Sequence, residues 1–225
     1  MSLKTCAVIV AGGSGKRMGT TLPKQFLLLQ GKPVLYYTID AFLKADPTMQ
    51  IILVLPEEHL ELGREIVDGF FDASQIQLTA GGETRFHSVQ NGLRLVTEER
   101  IIFVHDGVRC LVTPELIQRC YTTALETGSA IPVVEAKDSL RIITEDGNEP
   151  LDRSKVRLVQ TPQTFHSKIL QPAFAIDYKE RFTDEATVME AFGLKVTLVE
   201  GEATNIKITT PIDLVVAEKI LEQRG

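Results

Sequence analysis

The sequence contains no tryptophan, only 6% aromatic residues and only three cysteines. Cys6, Cys110 and Cys120 form no C-x-x-C pair, and their odd number indicates neither a disulfide framework nor a zinc site. This cysteine usage favours a cytoplasmic protein. The histidines also lack the spacing of metal ligands, so we interpret all of them as structural: His59, His87, His105 and His166.

Long apolar runs and an excess of positive charge are missing as well. No run approaches the length of a membrane span, and the apolar run at residues 6–11 is too short for a signal sequence. With 24 Lys and Arg against 30 Asp and Glu, the net charge is −6, which disfavours a nucleic-acid backbone as the main partner. We therefore expect neither a membrane nor a nucleic-acid partner, and any polyphosphate site must be a local cluster of cations.

The sequence does contain a glycine-rich segment directly after its first apolar run. Residues 7–11 have β-type character, and Gly12, Gly13 and Gly15 follow at once. A strand that leads into such a loop presents backbone N–H groups that phosphate oxygens can approach closely. The segment therefore points to nucleotide chemistry, although for the glycines alone an ordinary turn between a strand and a helix is the favoured interpretation.

Cations in or just after this loop favour an anion site. Lys16, Arg17 and Lys24 supply charge that matches a polyphosphate. The loop is not a Walker A motif, because Arg17 stands where Ser or Thr is needed after the Gly-Lys pair. It is not a dinucleotide fingerprint either, because Met18 occupies the position of the third glycine.

Short apolar runs alternate with amphipathic stretches over the rest of the chain. The predicted strands are residues 51–55, 101–104, 130–134 and 195–200, and the predicted helices are residues 34–43, 57–71, 84–95, 114–125, 184–192 and 211–222. This alternation predicts an α/β, Rossmann-like domain whose mostly parallel sheet has helices on both faces. Ligands of such sheets bind beyond the carboxyl ends of the strands, so the glycine loop and residues 105–109 should share one crevice.

Residues 137–164 interrupt this rhythm. Predicted strands at residues 140–144 and 156–160 flank a strong turn at residues 145–148. The segment has little apolar mass, and isolated two-stranded hairpins are marginal in water. We therefore predict one domain spanning residues 1–225 with a protruding β-hairpin arm that packs on a second copy, as a homodimer. The alternative is a hairpin folded back on its own domain.

A series of motifs is similar to the 2-C-methyl-D-erythritol 4-phosphate cytidylyltransferase family. They are VAGGSGKRMG (10–19), PKQF (23–26), GGETRFHSV (81–89), HDGVR (105–109), DR (152–153), QTPQTF (160–165), TDEA (183–186) and NIKIT (205–209). The resemblance runs nearly end to end and implies CTP and a polyol phosphate as substrates. It also implies Mg²⁺, a homodimer and an arm that crosses to the partner subunit.

The chain departs from the usual pattern of this family at three places. Gly107 and Val108 stand where Ala-Ala is common, Cys110 stands where Pro is common, and Ser139 stands where Thr is common. Serine keeps the hydroxyl group, so the change at residue 139 alters only a methyl contact. We expect the other two departures to reshape the acceptor pocket slightly.

The resemblance also implies roles for individual residues. Arg17, Lys24 and Lys207 would be catalytic and would neutralise the triphosphate and the charge that develops on it. Arg109, Ser139, Arg153 and Thr161 would bind the acceptor, with Arg153 acting in the neighbouring subunit. Asp106 would bind acceptor hydroxyls or assist Mg²⁺, while a turn-forming role before Gly107 is its structural alternative.

The nucleotide would lie along two stretches of backbone, which the resemblance assigns to Ala11, Gly12, Gly13, Gly15, Lys16, Gly81, Gly82, Glu83 and Ser88. Lys16 could equally face water, and Gly81-Gly82 could be a plain turn between a strand and a helix. Arg85 either contacts a ligand or caps the start of a helix. We interpret Asp184-Glu185 as a helix start rather than a metal pair.

Rival functions remain open at the level of sequence. A ribitol-5-phosphate cytidylyltransferase would use the same phosphate-binding residues, and a hexose-phosphate nucleotidyltransferase would differ in the nucleotide it uses. A binding protein without catalysis is disfavoured, because the chain holds Arg17, Lys24, Asp106, Arg153 and Lys207 together.

Overall fold

The computed structural model describes residues 3–13 and 22–224 of the chain. The strands are β1 (Lys4–Val10), β2 (Leu28–Leu29), β3 (Lys32–Pro33), β4 (Gln50–Leu55), β5 (Ile76–Ala80), β6 (Arg100–Asp106), β7 (Ser129–Glu135), β8 (Leu140–Thr144), β9 (Gly147–Leu151), β10 (Arg157–Val159), β11 (Gln163–His166) and β12 (Leu198–Glu200). The α-helices are α1 (Val34–Ala45), α2 (Leu60–Phe70), α3 (Arg85–Leu93), α4 (Pro114–Thr127), α5 (Ser167–Ala173), α6 (Glu185–Ala191) and α7 (Pro211–Arg224).

The main sheet is mostly parallel, as the sequence predicts. β6, β1, β4 and β5 pair side by side in parallel, and β12 pairs in parallel with β7. β11 runs antiparallel to both β6 and β7, and β10 pairs antiparallel with β7. The carboxyl ends of β1, β4, β5 and β6 therefore meet at one edge of the sheet, where α/β folds bind their ligands.

Helices cover both faces of the sheet. Successive residues of a strand point to opposite faces, and on β1 the side chains of both faces are apolar, so each face is buried under helices. On β1, Ala7 and Ile9 pack in a core beneath α1, α2 and α4, whereas Cys6 and Val8 pack in a second core beneath α3, α5 and α6. All of these side chains are fully buried. Strands buried on both faces read as continuous apolar runs, which explains why the sequence located them correctly.

The C-terminal helix α7 closes a third, smaller core. Its Ala217 packs with Leu29, Val108 and Ile208. Ile208 lies in the loop before α7, and its N–H donates to the carbonyl of Val108 at 3.0 Å. This contact ties the loop that carries Lys207 to the loop that follows β6.

The arm differs from the prediction in its return strand. β8 lies where the sequence predicts it, but it pairs with β9 and not with residues 156–160. Residues 157–159 instead form β10, which returns to the main sheet and pairs with β7. Both faces of β9 are open to solvent, so its short sequence, which includes Pro150, has no alternation of apolar and polar residues. Without that alternation the sequence does not predict a strand there.

Smaller differences concern boundaries. The predicted strand at residues 195–200 is shorter, Leu198–Glu200, and the predicted helix at 57–71 begins as a short 3₁₀ turn before α2. The strands β5 and β11 and the helix α5 are additions to the prediction. Within residues 3–13 and 22–224, no helix has both the length and the apolar character that crossing a membrane requires.

Candidate active site

A cleft of about 700 Å³ opens beyond the carboxyl ends of the parallel strands. Its volume lies in the range of small-molecule sites. Nine residues that the sequence assigned to nucleotide binding or catalysis line it: Ala11, Gly12, Gly13, Lys24, Gly81, Gly82, Glu83, Ser88 and Lys207. Asp106, which was assigned to the acceptor or to Mg²⁺, lines it as well. Three other assigned residues, Gly15, Lys16 and Arg17, lie outside the described residues.

The first glycine loop begins at a fixed residue. The N–H of Ala11 donates to the carbonyl of Val54 at 2.9 Å, and its own carbonyl accepts from Nε2 of Gln25 at 2.8 Å. Among the described residues, no neighbouring atom lies within 4 Å of a Cβ built on Gly12, which lines the cleft.

The second glycine pair is tightly packed. Gly81 follows β5 and donates its N–H to the carbonyl of Leu55 at 2.7 Å, and the N–H of Gly82 donates to Oγ of Ser88 at 3.0 Å. An added Cβ on Gly82 would lie 2.4 Å from Cβ of His87. The pair is thus both a turn between β5 and α3 and a wall of the cleft, with Ser88 holding the turn in place.

The two described catalytic candidates meet at one loop. Lys24 is only 8% exposed, and its Nζ donates to the carbonyl of Ile208 at 2.7 Å. The neighbouring Lys207 places its Nζ 2.9 Å from Oδ2 of Asp106. Residues that are far apart in sequence therefore bring positive charge to one side of the cleft.

Asp106 is surrounded by cations. Besides Lys207, Nε of Arg109 lies 3.4 Å from its Oδ2 and Nε of Arg85 lies 3.3 Å from its Oδ1. Burial would raise the pKa of Asp106, but Arg85, Lys207 and Arg109 outweigh burial and hold the pKa below its ordinary value. The carboxylate is therefore ionised at neutral pH, and the cluster around it keeps a surplus of positive charge that suits phosphate groups.

A second cavity of about 220 Å³ adjoins the cleft. It shares Arg85, Asp106 and Lys207 with the cleft and is also lined by Arg109 and Thr161, two residues assigned to the acceptor. The cation cluster lies where the two spaces join. One anionic ligand in each space would therefore approach the other at this cluster.

The family model for 2-C-methyl-D-erythritol 4-phosphate cytidylyltransferase matches residues 5–223. The chain belongs to this cytidylyltransferase family. It is 47% identical over 219 residues to the family enzyme of Bacteroides thetaiotaomicron, covering 97% of this chain and 100% of that protein. It is 49% identical over 216 residues to the enzyme of Bacteroides fragilis, covering 96% and 98%.

Solved structures agree with this assignment. The 4-diphosphocytidyl-2C-methyl-D-erythritol synthase of Anaerococcus prevotii superposes with a TM-score of 0.83 at 29% identity, covering 98% of this chain and 99% of that one. The family enzyme of Thermus thermophilus superposes with a TM-score of 0.76 at 31% identity, covering 99% and 100%. The mostly parallel fold and the classification as a nucleotidyltransferase are therefore established.

Thr161 and His105 connect the smaller cavity of this cytidylyltransferase to the end of β6. The hydroxyl of Thr161 accepts from the N–H of Asp106 at 3.1 Å and lies 3.0 Å from Nδ1 of His105. Nε2 of His105 lies 3.2 Å from the carbonyl of Arg109, which can only accept. Nε2 therefore carries the proton and Nδ1 accepts from Thr161. Burial lowers the pKa of His105 to about 3, so the ring is neutral, in agreement with its structural interpretation.

Two glutamines of the QTPQTF motif hold the loops around the cavity. Gln160 donates from Nε2 to the carbonyl of Glu202 at 2.8 Å and accepts the N–H of Glu202 at 3.1 Å. Gln163 donates to Oδ2 of Asp184 at 3.0 Å and accepts the N–H of Ala186 at 2.8 Å. The sequence analysis assigned neither role, because both partners are brought close only by folding.

Glu185 is another residue whose contact the sequence did not reveal. Asp184 accepts the N–H of Thr187 at 2.9 Å, so this pair does begin a helix, as expected. Glu185, however, also forms an ion pair with Arg85, which is 100 residues away in sequence. Arg85 therefore contacts acidic groups instead of capping α3, whose cap is Thr84.

Ser139 and Arg153 lie outside the cleft and the cavity. Both are exposed on the stretches that flank the hairpin. Nη1 of Arg153 donates to the carbonyl of Lys137 at 2.5 Å. Within one chain these residues do not reach the site, so their role in a neighbouring subunit stays a prediction.

The departures at residues 107–110 have different surroundings. Val108 lines the cleft, whereas Cys110 packs in the small core with Leu29. An added Cβ on Gly107 would lie 2.7 Å from Cβ of Ala11, so the glycine permits close contact between the two loops.

The donor groups of the site fit a magnesium ion that is held mainly by phosphate oxygens. Among the described residues, no three His, Cys, Asp or Glu side chains are grouped as a metal site. Asp106 supplies an ionised carboxylate where the cleft meets the cavity. Mg²⁺ is commonly bound by one or two carboxylates together with substrate phosphates.

Proposed function

We propose that the protein transfers CMP from CTP to 2-C-methyl-D-erythritol 4-phosphate and releases pyrophosphate. The observation that carries this proposal is the cation cluster at the junction of two adjoining spaces, in a chain of this cytidylyltransferase family. The larger space suits a nucleotide and the smaller one suits a polyol phosphate.

The acceptor phosphate would attack the α-phosphorus of CTP in line, and pyrophosphate would leave. A phosphate monoester has a second pKa of about 6 and is largely dianionic at neutral pH, so the nucleophile needs no general base. The chain's task is to hold two polyanions together and to stabilise the charge that develops. Lys24 and Lys207 are suited to this task, because both line the cleft and Lys207 also lines the adjoining cavity. We propose the same role for Arg17.

The base and ribose would lie against the two glycine turns. Backbone groups at Ala11, Gly12, Gly81 and Gly82 can approach the nucleotide because no bulky side chain intervenes. Ser88 would act by fixing Gly82, to which its hydroxyl is bonded. We propose that Gly15 and Lys16 also bind the nucleotide.

Mg²⁺ would be the cofactor. When bound, it would neutralise phosphate charge, which is its usual contribution to phosphoryl transfer. Asp106 would hold it from the protein side, because this carboxylate is ionised and lines both spaces.

The protein would act as a homodimer through its arm. β8 and β9 pair only with each other among the described strands, and Ile142 and Ile143 are 47% and 80% exposed. A groove of about 1030 Å³ beside the acceptor cavity has an apolar wall that includes Val133, Leu158 and Leu198. An arm of a second copy in this groove would bury both apolar surfaces and bring its Arg153 toward Arg109 and Lys207, which line the groove.

The cytoplasm is the proposed compartment. Cys6, Cys110 and Cys120 are buried free thiols, and a reducing compartment keeps thiols in this state. Burial raises the pKa of each thiol to about 12, so the reactive thiolate is suppressed.

The activity is tested by measuring pyrophosphate release from CTP and Mg²⁺ with a panel of acceptors. We expect 2-C-methyl-D-erythritol 4-phosphate to give a much higher kcat/KM than ribitol 5-phosphate or a hexose 1-phosphate. CTP should be preferred over UTP and GTP. A higher kcat/KM with ribitol 5-phosphate, or with another nucleotide and a hexose phosphate, would assign a different acceptor and contradict the proposal.

Subunit sharing is tested by mixing Arg153→Ala and Lys24→Ala chains. If the arm completes the partner's site, each mixed dimer has one intact site, and random exchange should restore about a quarter of parental activity. If each chain forms its own site, verified mixed dimers should show no recovery. That result would contradict the crossing arm.

A further inference from the structure

The ion pair between Arg85 and Glu185 is buried beside the reacting groups. The side chain of Glu185 is 1% exposed and that of Arg85 is 26% exposed. Both Nη atoms of Arg85 contact the two carboxylate oxygens, and the Nη2–Oε2 distance is 3.1 Å. A bidentate pair of this kind fixes the plane of the guanidinium as well as its position.

Glu185 is itself held rigidly. It is the first residue of α6, whose start is fixed by reciprocal hydrogen bonds between Asp184 and Thr187. Gln163 on β11 bonds to this same start through Asp184 and Ala186. Because β11 pairs with β6, the carboxylate of Glu185 is tied to the strand that ends in Asp106.

The fixed guanidinium points its third nitrogen at Asp106. Nε of Arg85 lies 3.3 Å from Oδ1 of Asp106, while Glu185 occupies one N–H on each Nη. A guanidinium has five N–H groups, so one on each Nη remains for other partners. In the described residues these two N–H groups make no hydrogen bond to protein, and Arg85 lines both the cleft and the cavity.

Charge gives a second reason for this arrangement. Arg85, Arg109 and Lys207 all contact Asp106, and a single carboxylate cannot balance three cations. Glu185 supplies the second negative charge on the side of Arg85 that is turned away from Asp106.

We propose that Glu185 is a positioning residue for the transfer reaction: through its bidentate contact it holds Arg85 at the junction of the two spaces, where the acceptor phosphate would bind. This inference rests on the proposed function. Its consequence is that Glu185 acts on catalysis only through Arg85. Loss of Glu185 should lower kcat/KM for the acceptor when Arg85 is present and should leave it unchanged when Arg85 is absent.

The test is a double-mutant cycle measured by pyrophosphate release. We expect Glu185→Gln to lower kcat/KM for the acceptor by about tenfold to hundredfold, as misplacement of a substrate-binding group does. The KM for CTP should stay within about threefold of the parental value. Glu185→Asp keeps the charge and should recover part of the loss. The control Glu190→Gln removes an exposed carboxylate from the same helix and should leave the rate unchanged.

The decisive comparison is Arg85→Met against Arg85→Met with Glu185→Leu. Replacing both members of a buried ion pair by apolar residues is often neutral for stability, so this double variant should fold even if Glu185→Gln does not. Equal rates for the two, within about twofold, support the proposal. A further drop in the double variant, or parental activity in folded Glu185→Gln, would overturn it. An inactive parental protein in the same assay would overturn the proposed function instead, and this inference with it.

Discussion

Acidification should destabilise the protein through one buried histidine. His105 lies at the end of β6 with no solvent exposure, between the hydroxyl of Thr161 and the carbonyl of Arg109. Its ring also packs 5.0 Å from the ring of Phe42, centroid to centroid. A proton on Nδ1 would displace the hydrogen bond from Thr161 and would place a charge in this apolar setting.

The magnitude follows from the two protonation equilibria. Burial lowers the pKa of His105 to about 3 in the folded protein, whereas an unfolded histidine has a pKa of about 6.5. The unfolded chain therefore binds the proton first, and stability is lost as the pH falls from about 6.5 toward 3. Between pH 7 and pH 5 this linkage removes about 2 kcal/mol of unfolding free energy.

The assay is urea unfolding of the parental protein and of His105→Gln at pH 7 and at pH 5. The glutamine variant should be less stable at pH 7 but should lose about 2 kcal/mol less on acidification, because it lacks the titrating ring. The control His166→Gln removes a half-buried ring outside this network and is unfolded in parallel, so that the difference can be assigned to His105.

Two results would refute the reasoning. One is an equal loss of unfolding free energy in the parental protein and His105→Gln. The other is an NMR titration of His105 in the folded protein with a midpoint above pH 5. The second measurement serves even if the glutamine variant does not fold.

Two further predictions concern the nucleotide cleft. Lys24→Met should lower turnover by about a hundredfold or more, because it removes a fixed cation from the reacting phosphates. The unfolding free energy should fall by about 1.5–3 kcal/mol, the usual range for losing a hydrogen bond from a charged group such as the one to the carbonyl of Ile208. Steady-state kinetics and urea unfolding measure the two effects, and parental turnover in this variant would remove Lys24 from catalysis. Gly82→Ala should cost about 1–3 kcal/mol of stability and weaken CTP binding, because its Cβ would lie 2.4 Å from Cβ of His87. The control Gly69→Ala lies in helix α2, where no described atom outside the neighbouring residues and the helix's own backbone comes within 4 Å of the new Cβ. It should be neutral or stabilising, and equal costs for both variants would contradict the steric argument.

The central sheet was predictable because its strands are buried on both faces. Residues 51–55 and 101–104 read as unbroken apolar runs, and in the structure they lie within β4 and β6. The glycine turns were recognisable for a similar local reason. Their backbone must approach other groups closely, which requires glycine, and the glycines are visible in the sequence.

Elements at the edge were harder to predict. β9 is exposed on both faces, so no burial pattern distinguishes it from a loop. Residues 157–159 showed strand character, but the sequence could not tell whether they pair with β8 or with β7. Register between distant segments depends on the whole sheet and not on local propensity.

The sequence by itself determined the alternating strands and helices, the glycine turns and the identity of the cations. Tertiary structure alone decided that Lys24 bonds to the loop of Lys207, that Thr161 orients His105, and that Glu185 holds Arg85. The order of apolar and polar residues in a segment indicates which of its side chains are buried, because each residue's polarity matches its own burial. It does not record which charged groups face each other across a cleft, because those pairs exist only after segments up to 184 residues apart have packed together.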